Sequence, residues 1–222
     1  SFTGSLARVA GESVGPWAIT QDDVSLNSNY TLSYVGADLS IGLRSVEITA
    51  DSKSKTYGDV DPVLTYLITT GSLAFTDSFA GSLARVAGES VGPWAITQGD
   101  VSLNSNYTLS YVGADLTIGL RSVIITADSK SKTYGDADPL LTYQITTGSL
   151  AFTDSFTGSL ARVAGESVGP WAITQDDVSL NSNYTLSYVG ADLIIGLRSV
   201  IITANSKSKT YGDADPLLTY QI

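Results

Sequence analysis

The side chains with the greatest capacity for chemistry in this chain are carboxylates carried on turn-forming segments. In GDADP, Asp136 and Asp138 stand two residues apart behind Gly135, with Asp128 a few residues upstream. Asp128, Asp136 and Asp138 together offer oxygen ligands of the kind that Ca²⁺ collects, about six to eight at a time. The spacing lacks the closing Glu of the EF-hand loop, and the next copy of the segment carries Asn205 in place of Asp128. Clusters of Gly, Asp and Pro also make turns unaided, through side-chain-to-backbone bonds and the fixed φ of Pro139. The segment reads as a turn, with Ca²⁺ as a subsidiary expectation and no other cofactor.

Other motifs divide the same way. Gln21-Asp22-Asp23 suggests the same oxygen chemistry, but its copy reads Gln98-Gly99-Asp100, which fits a turn whose middle residue is free. Paired carboxylates also flank the bond cut by glycosidases. Here they recur in every copy with no cleft-forming domain, so no catalytic residue and no enzyme are expected. Asn-Tyr-Thr, at Asn29, Asn106 and Asn183, matches the N-glycosylation sequon. Placed before an alternating segment, it reads as a turn entering a strand. Tyr57, Tyr134 and Tyr211, with Trp17, Trp94 and Trp171, supply rings for a sugar-stacking platform. One aromatic per strand is more ordinarily a core residue whose polar tip is bonded at the edge.

The absences narrow the chemistry further. With no Cys there is no disulfide framework, thiolate zinc site or cysteine nucleophile, and with no His the commonest general base and metal ligand are gone. The chain carries 22 acidic against 12 basic residues. Residues 45–121 and 122–198 each hold eight acids and four bases, so the acidity is shared evenly. A uniformly acidic array lacks the basic footprint of a nucleic-acid binder, and no nucleic-acid partner is expected. No apolar run approaches the roughly 18–20 residues of a membrane span.

The order of these motifs is set by repetition. Gly4, Gly81 and Gly158 open the same GSLARVAGES block, a period of 77 residues, and the last copy stops before TTGSLAFTD. Within each period the pattern alternates with period two. Tyr107, Leu109 and Tyr111 share one face of YTLSYV; Leu116 and Ile118 follow after Gly113; Val123, Ile125 and Ala127 point inward in SVIITAD. Leu141, Tyr143 and Ile145 point inward in LLTYQITTG, and Trp94 and Ile96 in PWAITQ. Such runs, rich in β-branched and aromatic residues and bounded by Gly, Asp, Asn and Pro, predict strands. The best helical candidate is GSLARVAGE (81–89), which also fits a strand or a single turn. Glu47/Ile124, Leu67/Gln144 and Ser40/Thr117/Ile194, where the copies differ, all fall at outward positions. A one-residue slip would bury Glu47 and Gln144, so the phase is internally consistent.

A unit starting at SVEITAD, after the short link GLRS, gives a more complete frame than one starting at Ser1. On that frame residues 1–44 are the C-terminal part of a module, 45–121 and 122–198 are complete modules, and 199–222 is an N-terminal part. Within 125–194, the elements SKTYGDADP (131–139), LTY (141–143), RVAGESVG (162–169), WAIT (171–174) and NYTLSYVGA (183–191) resemble the MBG-type, or YDG-type, repeats of very large bacterial surface adhesins and haemagglutinin-like exoproteins. Trp171 departs from the Tyr more usual in such repeats. The resemblance implies secreted, mostly β modules strung into stalks, without catalytic residues.

The fold expected is all-β: small sandwich-like or β-grasp-like modules of 77 residues arranged as a rod or filament. The function expected is a structural repeat region of an extracellular adhesin or surface fibre, at the cell surface or secreted. The alternative is a set of glycan- or protein-binding modules acting by avidity. The partners expected are neighbouring modules of the same or an identical chain, head to tail, with 199–222 pairing with an equivalent of 1–44. Host or matrix glycans or proteins would meet the tip of the parent molecule.

Overall fold

The computed structural model describes residues 1–222, and every regular element is a β-strand. The chain divides into two compact units, Ser1–Gly119 and Leu120–Ile222.

The first unit opens with a three-stranded antiparallel sheet of β1 (Ala7–Arg8), β2 (Gly15–Thr20) and β3 (Ala37–Ile41), in that order. Gly42 and Leu43 lead directly into β4 (Arg44–Ala50). There follow β5 (Lys53–Thr56), β6 (Tyr66–Thr70), β7 (Ala84–Arg85), β8 (Gly92–Thr97), β9 (Tyr107–Val112) and β10 (Ala114–Gly119). These strands form two sheets, β6-β4-β9 and β5-β10-β8-β7. β4 and β5 are halves of one nearly continuous run broken at Asp51 and Ser52, and β9 and β10 are halves of another broken at Gly113. The two runs lie side by side and parallel. Arg44–Thr49 pair with Tyr107–Val112, and Lys53–Thr56 with Leu116–Gly119, in one register carried through both breaks. The intervening residues supply the long crossover that a parallel pair requires. First and last strands adjacent and parallel are a β-grasp trait, here without a helix, and their passage between two sheets is sandwich-like.

Alternation places the core. β4 buries Val46, Ile48 and Ala50, and β10 buries Leu116 and Ile118. Val46, Ile48, Val101 and Tyr107 form one cluster, and Ala50, Ile96 and Leu116 a second. Leu83 and Tyr111 pack against both, which makes one continuous interior from two small ones.

The second unit repeats the plan with β11 (Arg121–Ala127), β12 (Lys130–Thr133), β13 (Tyr143–Thr147), β14 (Ala161–Arg162), β15 (Gly169–Thr174), β16 (Tyr184–Val189) and β17 (Ala191–Gly196). Its sheets are β13-β11-β16 and β12-β17-β15-β14, with β11 parallel to β16 and β12 parallel to β17. It closes with a two-residue antiparallel pair, β18 (Thr203–Ala204) and β19 (Tyr220–Gln221).

The structure refines several expectations. Ile145 lies opposite Ile125 and so shares its inward face, yet it is 41% exposed. It sits on an edge strand, beside a register shift between Ile124 and Ile125, and has no neighbour on its open side. In GSLARVAGE only Ala84 and Arg85 are regular, as the short strand β7. Identical sequence also takes different forms. YTLSYV is a strand at 107–112 and at 184–189, but not at 30–35; KSKT is a strand at 53–56 and 130–133, while KSKT at 207–210 is not. Each is a strand only where its parallel partner lies alongside, because these pairings are between segments far apart in sequence.

The turn after β2 explains an exchange that sequence left open. Its middle position is Asp22, Gly99 or Asp176, at φ 47°, 61° and 50°. Far from free, this residue must be left-handed, a region open to Gly and tolerated by Asp. Asp176→Val is expected to cost about 1–2 kcal/mol, and Asp176→Gly to be neutral or stabilising. Chemical denaturation of the two variants checks this.

Candidate functional site

The most ordered cluster of charged groups is a four-membered ring that appears once in each complete repeat. In the first unit, Lys55 extends from β5 and Arg85 from β7, the two edge strands of the four-stranded sheet. Asp61, in the turn after β5, and Glu89, in the loop after β7, lie between them. Lys55 Nζ is 2.6 Å from both Asp61 Oδ1 and Glu89 Oε2. Arg85 Nε is 2.5 Å from Asp61 Oδ2, and its Nη2 is 2.5 Å from Glu89 Oε1. Each cation thus meets both carboxylates, and each carboxylate both cations. Lys132, Asp138, Arg162 and Glu166 repeat the ring in the second unit, at 2.5–2.6 Å throughout.

Local structure holds the ring in place. Arg85 Nη1 donates to the carbonyls of Val86 and Gly88, at 2.9 and 2.6 Å, which fixes the loop that carries Glu89. The Trp94 indole lies against Gly88 so closely that a Cβ there would fall 1.8 Å from the ring, and its Nε1 donates to Ser90 O at 2.8 Å. Gly88 is therefore required by packing as well as by its φ of 151°. The Lys55 side chain is only 4% exposed, while the carboxylates face solvent more openly.

The electrostatics reinforce the geometry. The Arg85 guanidinium first, then the Lys55 ammonium, hold Asp61 down to about 2; Arg162 and Lys132 do the same for Asp138, also to about 2. Burial works against the Lys55 ammonium, but hydrogen bonds to Asp61 and Glu89 outweigh it and raise its pKa. A lysine between two carboxylates has the composition for amide condensation with loss of water. That reaction needs a neutral amine and a protonated acid, and here every shift favours the charged forms. The ring is an ion-pair clamp.

The residues singled out from sequence are dispersed. Asp128 accepts from Thr142 Oγ1 at 2.5 Å and from Gln144 Nε2 at 3.2 Å. Asp138 belongs to the ring, and Asp136 pairs with Arg198. The structure gives Asp128, Asp136 and Asp138 different partners and does not bring the three together in one group. Of the tyrosines, Tyr57 is buried whereas Tyr134 and Tyr211 are exposed. The tryptophans lie on inner strands, and each Nε1 donates to a serine carbonyl in the loop just before its strand, at 2.8 Å. The sequon residue Asn106 is occupied structurally: its Oδ1 accepts from Val14 N at 2.9 Å, and its carbonyl from Arg44 N at 3.0 Å.

A second feature lies in the loop between β6 and β7. Phe75 and Phe152 take φ of 51° and 52°, a conformation that bulky residues rarely adopt, and Phe75 is 82% exposed. The loop is held from below. Tyr107 accepts from Ala74 N and donates to Asp77 Oδ2, both at 2.7 Å, while Asn104 Nδ2 donates to Asp77 Oδ1 at 2.9 Å. Phe75 borders a groove of about 220 Å³ with Glu12, Val14, Ile41 and Arg44. Sequence reasoning missed both the ring and this loop.

Small β units repeated in tandem, each braced by a salt-bridge ring, define a class of all-β repeat modules. The chain belongs to the MBG domain family of the YGX type, which it matches three times, over residues 1–40, 46–117 and 123–194. Domains of this family are structural or binding modules that occur in surface-associated proteins. No curated protein and no solved structure matches the chain.

Because the ring carboxylates have depressed pKa values, their stabilisation is present above about 4 and is lost as pH falls through about 2. Thermal midpoints are expected to be level near neutrality and to drop across that acid window. Asp61→Asn should cost about 1 kcal/mol at pH 7, the value for a partly exposed pair, and less at pH 2. An equal cost at both pH values would contradict the clamp.

Proposed function

We propose that this chain is a structural segment, a stalk or filament, of an extracellular adhesin or surface fibre, and that it supplies reach and mechanical continuity rather than chemistry. On this reading its modules are 45–121 and 122–198, flanked by the partial modules 1–44 and 199–222, and they act at the cell surface or after secretion. The observation that carries the reading is the parallel pairing of each repeat's first and last strands. Tension enters the first repeat where β4 begins and leaves where β10 ends, at opposite ends of two parallel runs. The load is then a shear along the strands, shared by the ladder bonds from Arg44 to Thr56, rather than a peel that opens them one at a time. The Lys55–Asp61–Arg85–Glu89 ring adds a second tie between the same halves.

The absence of Cys allows the geometry to be tested with paired cysteine handles. Pulling through Leu43→Cys and Leu120→Cys loads the parallel strands in shear, and pulling through Leu67→Cys and Ala95→Cys loads the sheets laterally. Single-molecule force measurements should give a clearly higher unfolding force for the first pair. Equal forces would remove the basis for a stalk.

One observation favours the alternative of glycan- or protein-binding modules acting by avidity. An exposed aromatic held in a left-handed conformation stores strain of about 1–3 kcal/mol, and such strain collects at binding positions. On this reading Phe75 and Phe152 are repeated contact points. Saturable binding of the full chain on a glycan array, lost in Phe75→Ser/Phe152→Ser, would establish it; a flat response from the unaltered chain would remove it.

A further inference from the structure

Both complete repeats leave the same strand edge open. β6 and β13 are outer strands of their three-stranded sheets and pair on one side only, with β4 and β11. Asp51 N donates to Thr65 O at 2.9 Å, so these two form a hydrogen-bonded pair of the ladder. By alternation Leu67 is also bonded to β4, while the N–H and C=O groups of Tyr66 and Ile68 point to the open side. Asp128 N and Thr142 O, again at 2.9 Å, set the same phase for Tyr143 and Ile145. The side chains are open too. Ile68 lies opposite the fully buried Ile48 yet is 42% exposed, and Leu67, on the outer face, is 65% exposed. At the other edge of the sheet, β9 keeps Tyr107 buried and Leu109 and Tyr111 half-buried.

Charge separates this edge from others. Residues 62–76 and 139–153 are the longest runs in the chain without a charged side chain. The edges of the four-stranded sheets instead carry Lys55 and Arg85, or Lys132 and Arg162, closed into rings. Open strand edges are ordinarily guarded by a charge or a proline, and β6 has neither. With 22 acidic against 12 basic residues, two copies repel over most of their surface and approach most easily where neither is charged. We propose that β6 of one copy pairs antiparallel with β6 of a second copy, joining two three-stranded sheets into one. A two-fold axis at Leu67 satisfies both edges. Tyr66 of each copy exchanges N–H···O=C bonds with Ile68 of the other, and the two Leu67 side chains meet on the outer face. β13 has Gln144 where β6 has Leu67, so the contact at β6 buries more apolar surface. The register shift beside Ile68 confines the free edge to a few residues, which makes the pairing weak and reversible. Because the contact occupies the same edge on both copies, it closes as a dimer. This inference concerns the complete repeats alone and holds whether the array is a stalk or a set of binding modules.

Sedimentation velocity of the 222-residue chain over a concentration series tests the proposal. The unaltered chain is expected to associate as concentration rises, and more strongly at higher salt, because the contact holds no charge and screening relieves the repulsion between acidic copies. Leu67→Lys and Leu67→Glu each set like charges opposite one another at the axis and should weaken association about tenfold. An equimolar mixture of the two should associate better than either alone. Position 67 is exposed, and its counterpart in the next copy is Gln144, so circular dichroism should be unchanged. With no native Cys, Leu67→Cys should form a disulfide-linked dimer under mild oxidation, well ahead of Ala95→Cys at an exposed site on β8. A chain that stays monomeric at every concentration and salt, association indifferent to both charged substitutions, a mixture no better than its components, or equal crosslinking at 67 and 95 would overturn the proposal.

Discussion

The pairing of β4 and β5 with β9 and β10 is the constraint on which the rest of each repeat depends. A parallel pair between segments some sixty residues apart cannot form by local hairpin closure, so its loop entropy must be offset by everything it brings together. It aligns Val46 and Ile48 with Tyr107, and Ala50 with Leu116, and so brings both core clusters into register. It also places the turn after β5 within reach of the loop after β7, where the charged ring closes. The chain contains its own control. YTLSYV and KSKT are strands in both complete repeats and are not strands at 30–35 and 207–210. Propensity is the same in each case, and only the partner differs.

The ring follows from that constraint and adds to it. Surface ion pairs ordinarily contribute little, because water screens them and long side chains must be ordered to make them. Here each side chain meets two partners, so one ordering cost serves two bonds, and Lys55 and Arg85 are largely withdrawn from solvent. The two cations come from the edge strands of one sheet. Tying the edges together with charge also makes those edges poor templates for unrelated strands. The clamp thus contributes to cohesion within the repeat and to its isolation from wrong partners.

Much of the fold was legible because β structure writes its pattern locally. The inward residues of β8, β9, β10 and β11 were read correctly from period-two alternation, and the positions where copies differ confirmed the phase. Family resemblance was legible for a related reason. SKTYGDADP and RVAGESVG, which carried it, are the two segments that supply the ring: Lys and Asp from the first, Arg and Glu from the second. What could not be read was that these segments meet, since Asp61 and Glu89 lie 28 positions apart and no spacing rule links them. Asp138 illustrates the difficulty. It was picked out as an oxygen ligand for a cation, and its partners prove to be the cations of Lys132 and Arg162.

By itself, then, the sequence determined the period, the strand faces, the turns and the absence of thiol and imidazole chemistry, all of which depend on residues a few positions apart. Tertiary structure decided four further matters. It set which strands became neighbours, it left Ile145 partly exposed on an edge strand, and it turned an apparently free turn position into a left-handed one shared by Asp22, Gly99 and Asp176. It also converted two separate charge pairs into a ring. Each of these depends on contacts between segments distant along the chain, and the free energy of such contacts is set by the partner that folding brings alongside.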